Sequence, residues 1–208
     1  MLEEQDELVV RLRSGDRHAF RQLVDALHPR LLRFVNRLCP PPSVAEEVVQ
    51  DTWHVVIDRL HTFRGDSRLS TWIFQIATHR ARTRAVREGR YAATLLESWD
   101  HADPGGDGGL SRFDSRGRWV APPAGWPPDD PEASAMHQQA LARISEVIDQ
   151  LPEAQRAVVL LRDVEGLDTR EVSTILGLSP ANVRVLLHRG RHRVRSELEA
   201  VWTGRESC

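Results

Sequence analysis

Between Leu151 and Arg195 the chain spells out two helices and the turn between them, and no other stretch constrains the fold as tightly. Asp168 stands where an N-cap oxygen is needed, Glu171 three residues on can return the bond, and Val172, Ile175 and Leu176 follow at helical spacing. Gly177 ends that helix, since a residue without Cβ enters the left-handed conformation at little cost. Ser179 offers the next N-cap oxygen, and Pro180 suits the first helical position, where its missing N–H costs nothing. A second helix is therefore expected from Pro180. At about 100° per residue, Val183, Leu187, Gly190 and Val194 share one face with Leu186 beside them, while Arg184, Val185, His188 and Arg195 point away. Between Gly177 and Ser196 there are five arginines and no acid. One face is built to pack and the other to enter a groove, so the unit has the form of a helix-turn-helix whose ligand is DNA.

Composition bounds the rest. A chain of 208 residues with 40% hydrophobic content suits two small domains, each with its own core. The formal net charge is −2, so contact with nucleic acid has to come from local patches rather than a basic coat. All 28 basic residues are arginine, which suits bidentate contact with guanine and phosphate. No apolar run reaches the roughly 18 residues of a membrane span, and the acidic opening MLEEQDE lacks the form of a signal peptide. A cytoplasmic protein with no membrane insertion is expected. Cys39 and Cys208 make neither CxxC nor zinc spacing, so neither metal nor cofactor is expected, and Cys39 should be a buried thiol at a helix end. The histidines are mostly scattered singly, and HExxH, GxSxG and Walker motifs are absent, which argues against an enzyme in its own right.

Charge divides the chain into three. Residues 1–94 carry fifteen arginines against twelve acids, residues 95–134 three against eight, and residues 135–208 ten against ten. The middle forty residues contain six glycines and six prolines, which marks a linker. They also hold Trp99, Phe113, Trp119 and Trp126, aromatics expected to dock on a protein surface. The expected architecture is all-α: two small helical domains joined by a long flexible linker, the C-terminal one a helix-turn-helix domain.

In the first third, residues 6–38 form two helices, the longer lined by Ala19, Phe20, Leu23, Leu27, Leu31, Phe34, Val35 and Leu38, with a kink expected at His28-Pro29. Ser43 and Glu46 have the spacing of a capping box for a third helix, whose Val48, Val49, Trp53, Val56, Ile57 and Leu60 form an apolar stripe. Its opposite edge carries Glu47, Gln50, Asp51 and His54. A polar connector from Phe63 to Ser70 leads into a fourth helix near Thr71, apolar through Trp72, Ile73, Ile76 and Ala77 and basic through Arg80, Arg82, Arg84, Arg87 and Arg90. Such a helix anchors in a core and then tracks phosphates.

The segments AEEVVQDTWHVVIDRLHTFRGDSRLSTWIFQIA (Ala45 to Ala77) and LPEAQRAVVLLRDVEGLDTREVSTILGLSPANVRVLLHRGRHRVR (Leu151 to Arg195) closely resemble the two domains of bacterial RNA polymerase sigma factors of the extracytoplasmic-function type. The resemblance covers nearly all of residues 5–94 and 135–200, in the family's order. It implies a promoter-specificity subunit whose first domain (1–94) binds the β′ clamp helices of the RNA polymerase core and captures the melted minus-ten element. The second domain (135–208) then reads the duplex minus-thirty-five element and touches the β flap. An anti-sigma factor is implied as a further partner.

Position by position, the resemblance assigns core-polymerase binding to Glu47, Gln50, Asp51 and Trp53, with Glu47 where Asp is usual and Trp53 where Phe is usual. Trp53 also lies on the apolar stripe. Arg64, Asp66, Ser67 and Arg68 match the loop that cups a flipped base, which any of the four has the polarity to bind. His79, Arg80 and Arg82 continue the minus-ten surface, and Trp72 matches a family tryptophan read here as core packing. On the second domain Arg184, Val185, His188 and Arg189 match the positions that contact the minus-thirty-five element, with Val185 where Ser is common. The two elements lie about two turns of duplex apart, roughly 70 Å, whereas a flexible forty-residue coil averages about 35 Å and extends to about 130 Å. The linker therefore spans the gap only if stretched or threaded through a large partner. The competing expectation is a stand-alone helix-turn-helix regulator, which would bind DNA without polymerase.

Overall fold

The computed structural model describes residues 2–87 and 134–202, with side chains described over 5–87 and 141–199. No strand occurs among the described residues, as the sequence leads one to expect. The first unit holds α1 (Leu2–Arg13), α2 (Arg17–Leu38), α3 (Pro42–Arg59) with a 3-10 turn over Leu60–Thr62, and α4 (Leu69–Arg87). The second holds α5 (Ser134–Gln150), α6 (Glu153–Val159) widening into a π turn over Leu160–Val164, α7 (Thr169–Leu176) and α8 (Pro180–Trp202). Trp99, Phe113, Trp119 and Trp126 of the expected linker, together with Arg90 and Cys208, lie outside the described residues.

Asp16 starts α2 by accepting bonds from the amides of His18 (2.8 Å) and Ala19 (3.1 Å), and Arg11 pairs with the same carboxylate at 2.8 Å. The Ala19 amide first, and then the Arg11 bond, hold the Asp16 carboxyl below its ordinary range. From this cap Leu23, Leu27, Leu31, Phe34 and Leu38 descend one face and are buried. Phe34 meets Phe74 of α4 edge-on at 5.6 Å. Pro29 lies inside α2 and forgoes one N–H bond, but the buried stripe on both sides of it carries the helix on to Leu38. Cys39 is buried, with its thiol against the Ala81 carbonyl at 3.3 Å.

Two expectations about α3 are corrected. The helix begins at Pro42 with Pro41 as its N-cap and no side-chain cap bond, so Ser43 and Glu46 form no capping box. Proline is preorganised for the first helical turn, and this moves the start one residue ahead of Ser43. Ile57 does not join the buried stripe: it is 57% exposed, because Val49, Trp53, Val56 and Leu60 already fill the side facing α2 and α4.

In the second unit Val158, Leu161, Val172, Val183 and Leu198 are almost wholly buried and bring α6, α7 and α8 together. The closest approach is at Gly190, where an added Cβ would lie 2.7 Å from Val159 Cγ2 and 3.6 Å from Gln155 Cβ. Alanine would favour the helix by about 1 kcal/mol, but Val159 is buried and stiff at χ1, so overlap costing about 1–3 kcal/mol prevails. Gly190→Ala is therefore expected to lower the stability of the full chain by about 1 kcal/mol. Urea unfolding checks this, with Gly190→Ala plus Val159→Ala expected to be closer to additive rescue than to additive loss.

Candidate nucleic-acid interface

The turn of the helix-turn-helix is made by local bonds. Asp168 Oδ1 accepts from the Glu171 amide and Glu171 Oε2 accepts from the Asp168 amide, both at 2.8 Å, which completes the reciprocal cap of α7. Gly177 takes φ 71° and ψ 28°, and the amides of Gly177 and Leu178 both donate to the Ser173 carbonyl at 2.9 and 3.1 Å. Ser179 Oγ then accepts from the Asn182 amide at 3.2 Å, which starts α8 at Pro180.

Along α8, Val183, Leu186, Leu187, Gly190, Val194 and Leu198 are buried, while Arg184 and Arg193 are exposed and Val185, His188 and Arg189 are half-buried. The rings of His188 and His192 lie one turn apart at 6.4 Å. The five arginines are not equivalent. Arg191 Nε donates to Asp163 Oδ2 at 2.9 Å, and Arg195 Nε donates to Glu199 Oε1 at 2.7 Å. Arg195, expected to point outward, thus serves the helix it stands on, because Glu199 is four residues further along the same face. That leaves Arg184 near the start of α8 and Arg193 further along it as the exposed arginines, Arg184 lying toward the end a recognition helix presents to base edges.

On the first unit the polar edge of α3 is where periodicity puts it: Glu47, Gln50, Asp51, His54 and Asp58 are exposed, and the exposed Ile57 lies among them. Arg84 of α4 pairs with Glu47 at 2.8 Å. Trp53 stands apart from this edge. It is 7% exposed, packs edge-on against Phe20 at 6.0 Å, and donates its indole N–H to His28 Nδ1 at 3.2 Å.

The connector from α3 to α4 is anchored at both ends by α1, a tie that no local pattern announces. Arg13 donates to the Phe63 carbonyl, and Gln5 donates to the Ser67 carbonyl (3.4 Å) while accepting from the Leu69 amide (3.1 Å). Phe63 turns inward and meets the half-buried Trp72 at 5.4 Å. Gly65 takes φ 82°, a conformation that favours glycine, and the loop leaves Arg64, Asp66 and Arg68 exposed with Ser67 half-buried. Next along α4, His79 is exposed and Arg80 and Arg82 are half-buried. The loop and the outer side of α4 therefore form one polar surface above an aromatic base. Among the described residues no three His, Cys, Asp or Glu side chains gather as a metal site, and no helix is long and apolar enough to cross a membrane.

Residues 23–91 match the family model for sigma-70 region 2, and residues 141–194 match that for sigma-70 region 4; together they take in more than half the chain. The chain is 28% identical over 201 residues to the RNA polymerase sigma-H factor of Pseudomonas aeruginosa, covering 96% of each. It is 27% identical over 192 residues to the ECF RNA polymerase sigma-E factor of Escherichia coli K12, covering 92% of this chain and 93% of that one. Among solved structures, the fold is similar to CnrH in complex with the cytosolic domain of CnrY, with a TM-score of 0.60 at 22% identity, covering 94% of this chain and 97% of that one. It is also similar to the sigma factor RpoE of Bartonella quintana in complex with the anti-sigma factor NepR, with a TM-score of 0.58 at 22% identity, covering 86% and 96%.

The burial of Trp53 separates a supporting residue from exposed ones on the same helix. Trp53→Ala is expected to cost about 3–5 kcal/mol of stability, whereas Gln50→Ala should stay within about 0.5 kcal/mol. Chemical denaturation of the two variants side by side checks this.

Proposed function

The chain belongs to the sigma-70 family of RNA polymerase sigma factors, as one of the extracytoplasmic-function type, and from that premise we propose how its residues divide the work of promoter-specific initiation. The observation that carries the division is the pairing, in one chain and in the family's order, of an exposed acidic edge on α3 with an exposed basic turn on α8. Residues 1–94 are the polymerase- and minus-ten-binding domain, 95–134 the linker, and 135–208 the minus-thirty-five-binding domain. Glu47, Gln50 and Asp51 meet the β′ clamp helices, and Trp53 sets the helix from inside. Arg64, Asp66, Ser67, Arg68, His79, Arg80 and Arg82 hold the melted strand, with cations on phosphate and loop polar groups on a flipped base. Arg184, Val185, His188 and Arg189 face the duplex, and the second domain also touches the β flap. The chain works in the cytoplasm as a subunit, and bond-making belongs to the core enzyme. An anti-sigma factor is its regulator, a reading supported by the company its structural neighbours keep.

The direct test is run-off transcription with core polymerase, followed by mapping of the start sites; a chain that binds duplex DNA but never redirects core enzyme would refute the assignment. Within it, Glu47→Arg with Asp51→Arg should abolish core binding, since like charges set against one another across an interface cost on the order of several kcal/mol. The exposed pair with Arg84 contributes only about 0–1 kcal/mol, so helical content should persist; a core-binding titration reads the outcome.

Arg184 and His188 are one turn apart and reach the same groove. Arginine on guanine O6 and N7 contributes about 1–3 kcal/mol of discrimination. Arg184→Ala should therefore flatten the preference for cognate over scrambled duplex, whereas Arg189→Ala, at the flank, should weaken all duplexes alike and reduce the salt slope by about one. Competition binding at several salt concentrations distinguishes the two.

A further inference from the structure

One carboxamide on α1 fixes the backbone on both sides of Arg68. Gln5 Nε2 donates to the Ser67 carbonyl at 3.4 Å, and Gln5 Oε1 accepts from the Leu69 amide at 3.1 Å. The first partner belongs to the peptide plane before Arg68 and the second to the plane after it. Because peptide units are planar, only the two soft dihedrals of Arg68 lie between those planes, and tying both to one rigid group sets the direction in which the Arg68 side chain leaves the backbone. The carboxamide cannot serve the other way round, since its NH2 would then face an amide and its oxygen a carbonyl. Leu69 opens α4, where the first amides find no carbonyl in their own helix, so the same bond caps α4 from 64 positions away. The Trp72 amide completes the hold by donating to the Arg68 carbonyl at 3.1 Å.

The other end of the connector is held in the same manner. Arg13, about two turns further along α1, donates to the Phe63 carbonyl, the acceptor of the peptide plane before Arg64. Phe63 and Leu69 are both buried, as are Val9 and Leu12 on the inner side of α1. Between the two anchors Gly65 has the widest backbone freedom, and Arg64, Asp66 and Arg68 stand exposed. A loop framed in this way presents its polar groups with little backbone freedom left to lose when a base enters.

We propose that Gln5 and Arg13 are positioning residues for promoter specificity: without touching nucleic acid, they aim the connector so that it distinguishes one flipped base from the other three. The proposal rests on the assignment of the connector to a flipped base given above. Hydrogen bonds to a base edge weaken steeply as their angle departs from linear. Selection among four bases depends on that geometry, whereas attraction to phosphate carries no sequence information. Loss of the frame therefore flattens base choice and leaves strand binding in place.

The test uses the full chain assembled with core polymerase, on a promoter taken from the mapped start sites. Each position of its minus-ten non-template strand is set in turn to all four bases, and initiation rates give the preference of best over worst base. A connector variant, Arg64→Ala with Asp66→Ala and Arg68→Ala, identifies the position that the connector reads. In Gln5→Leu, which keeps the size of residue 5 but neither bond, the preference at that position should fall at least about fivefold, well inside the roughly hundredfold that a 1 Å misplacement can cost. Gln5→Glu, which keeps the Leu69 bond and loses the Ser67 one, should fall between wild type and Gln5→Leu, and Arg13→Met should flatten the same position. Affinity for core polymerase and preference at the minus-thirty-five element should not change in any of the three. Wild-type base preference in both Gln5→Leu and Arg13→Met would overturn the positioning role, and so would equal losses at every position, which mark a general loss of fold. A connector variant that keeps every minus-ten preference would instead refute the assignment of the connector, and the positioning role with it.

Discussion

The relation between the two units depends on one carboxylate that has almost left water. Glu165 follows the π turn and its side chain is only 3% exposed. A buried charge is tolerated only when it is paired and hydrogen-bonded. Arg30 meets both needs: Nε reaches the carboxylate, and Nη2 reaches the Glu165 carbonyl at 3.2 Å. The guanidinium in turn lies 5.7 Å over the ring of Phe74, which belongs to the core of the first unit. Deleting one member of such a pair leaves the other uncompensated, at about 3–5 kcal/mol. That is several times what the exposed pairs elsewhere contribute.

Each unit manages a conflict between packing and display. In the first, α3 must bury Val48, Val49, Trp53 and Val56 and still offer a polar edge, and the helical period allows both because the two sets lie on opposite sides. The loop before α4 has to be exposed without being loose, and α1 holds it through Gln5 and Arg13. In the second unit, Asp163 and Glu199 engage Arg191 and Arg195, so that the exposed arginines of α8 are Arg184 and Arg193.

Much of the helix-turn-helix was legible because its determinants are local. The reciprocal cap, the left-handed glycine and the Ser179 cap are bonds between residues three to five apart, and such bonds depend little on what the chain does elsewhere. The start of α3 was misread for a related reason: two cap signals stood side by side, and the proline was the stronger. The placement of Ile57 was misread because a period identifies a stripe but not how wide the neighbouring helices are. The anchors Gln5 and Arg13 could not be seen at all, since their partners are more than forty residues away.

The sequence by itself determined the helices, the inner and outer face of each, the turn, and the family, because all of these follow from spacing and from backbone preferences over a few residues. Only the tertiary structure decided which charges are spent within the protein and which remain on display. It matched Arg30 with Glu165 across 135 positions and Thr71 with Glu171 across 100. It also set the surface assigned to one promoter element against the unit assigned to the other. Pairing of that kind depends on where whole helices come to rest, and the resting place is set by burial summed over both units rather than by any local pattern.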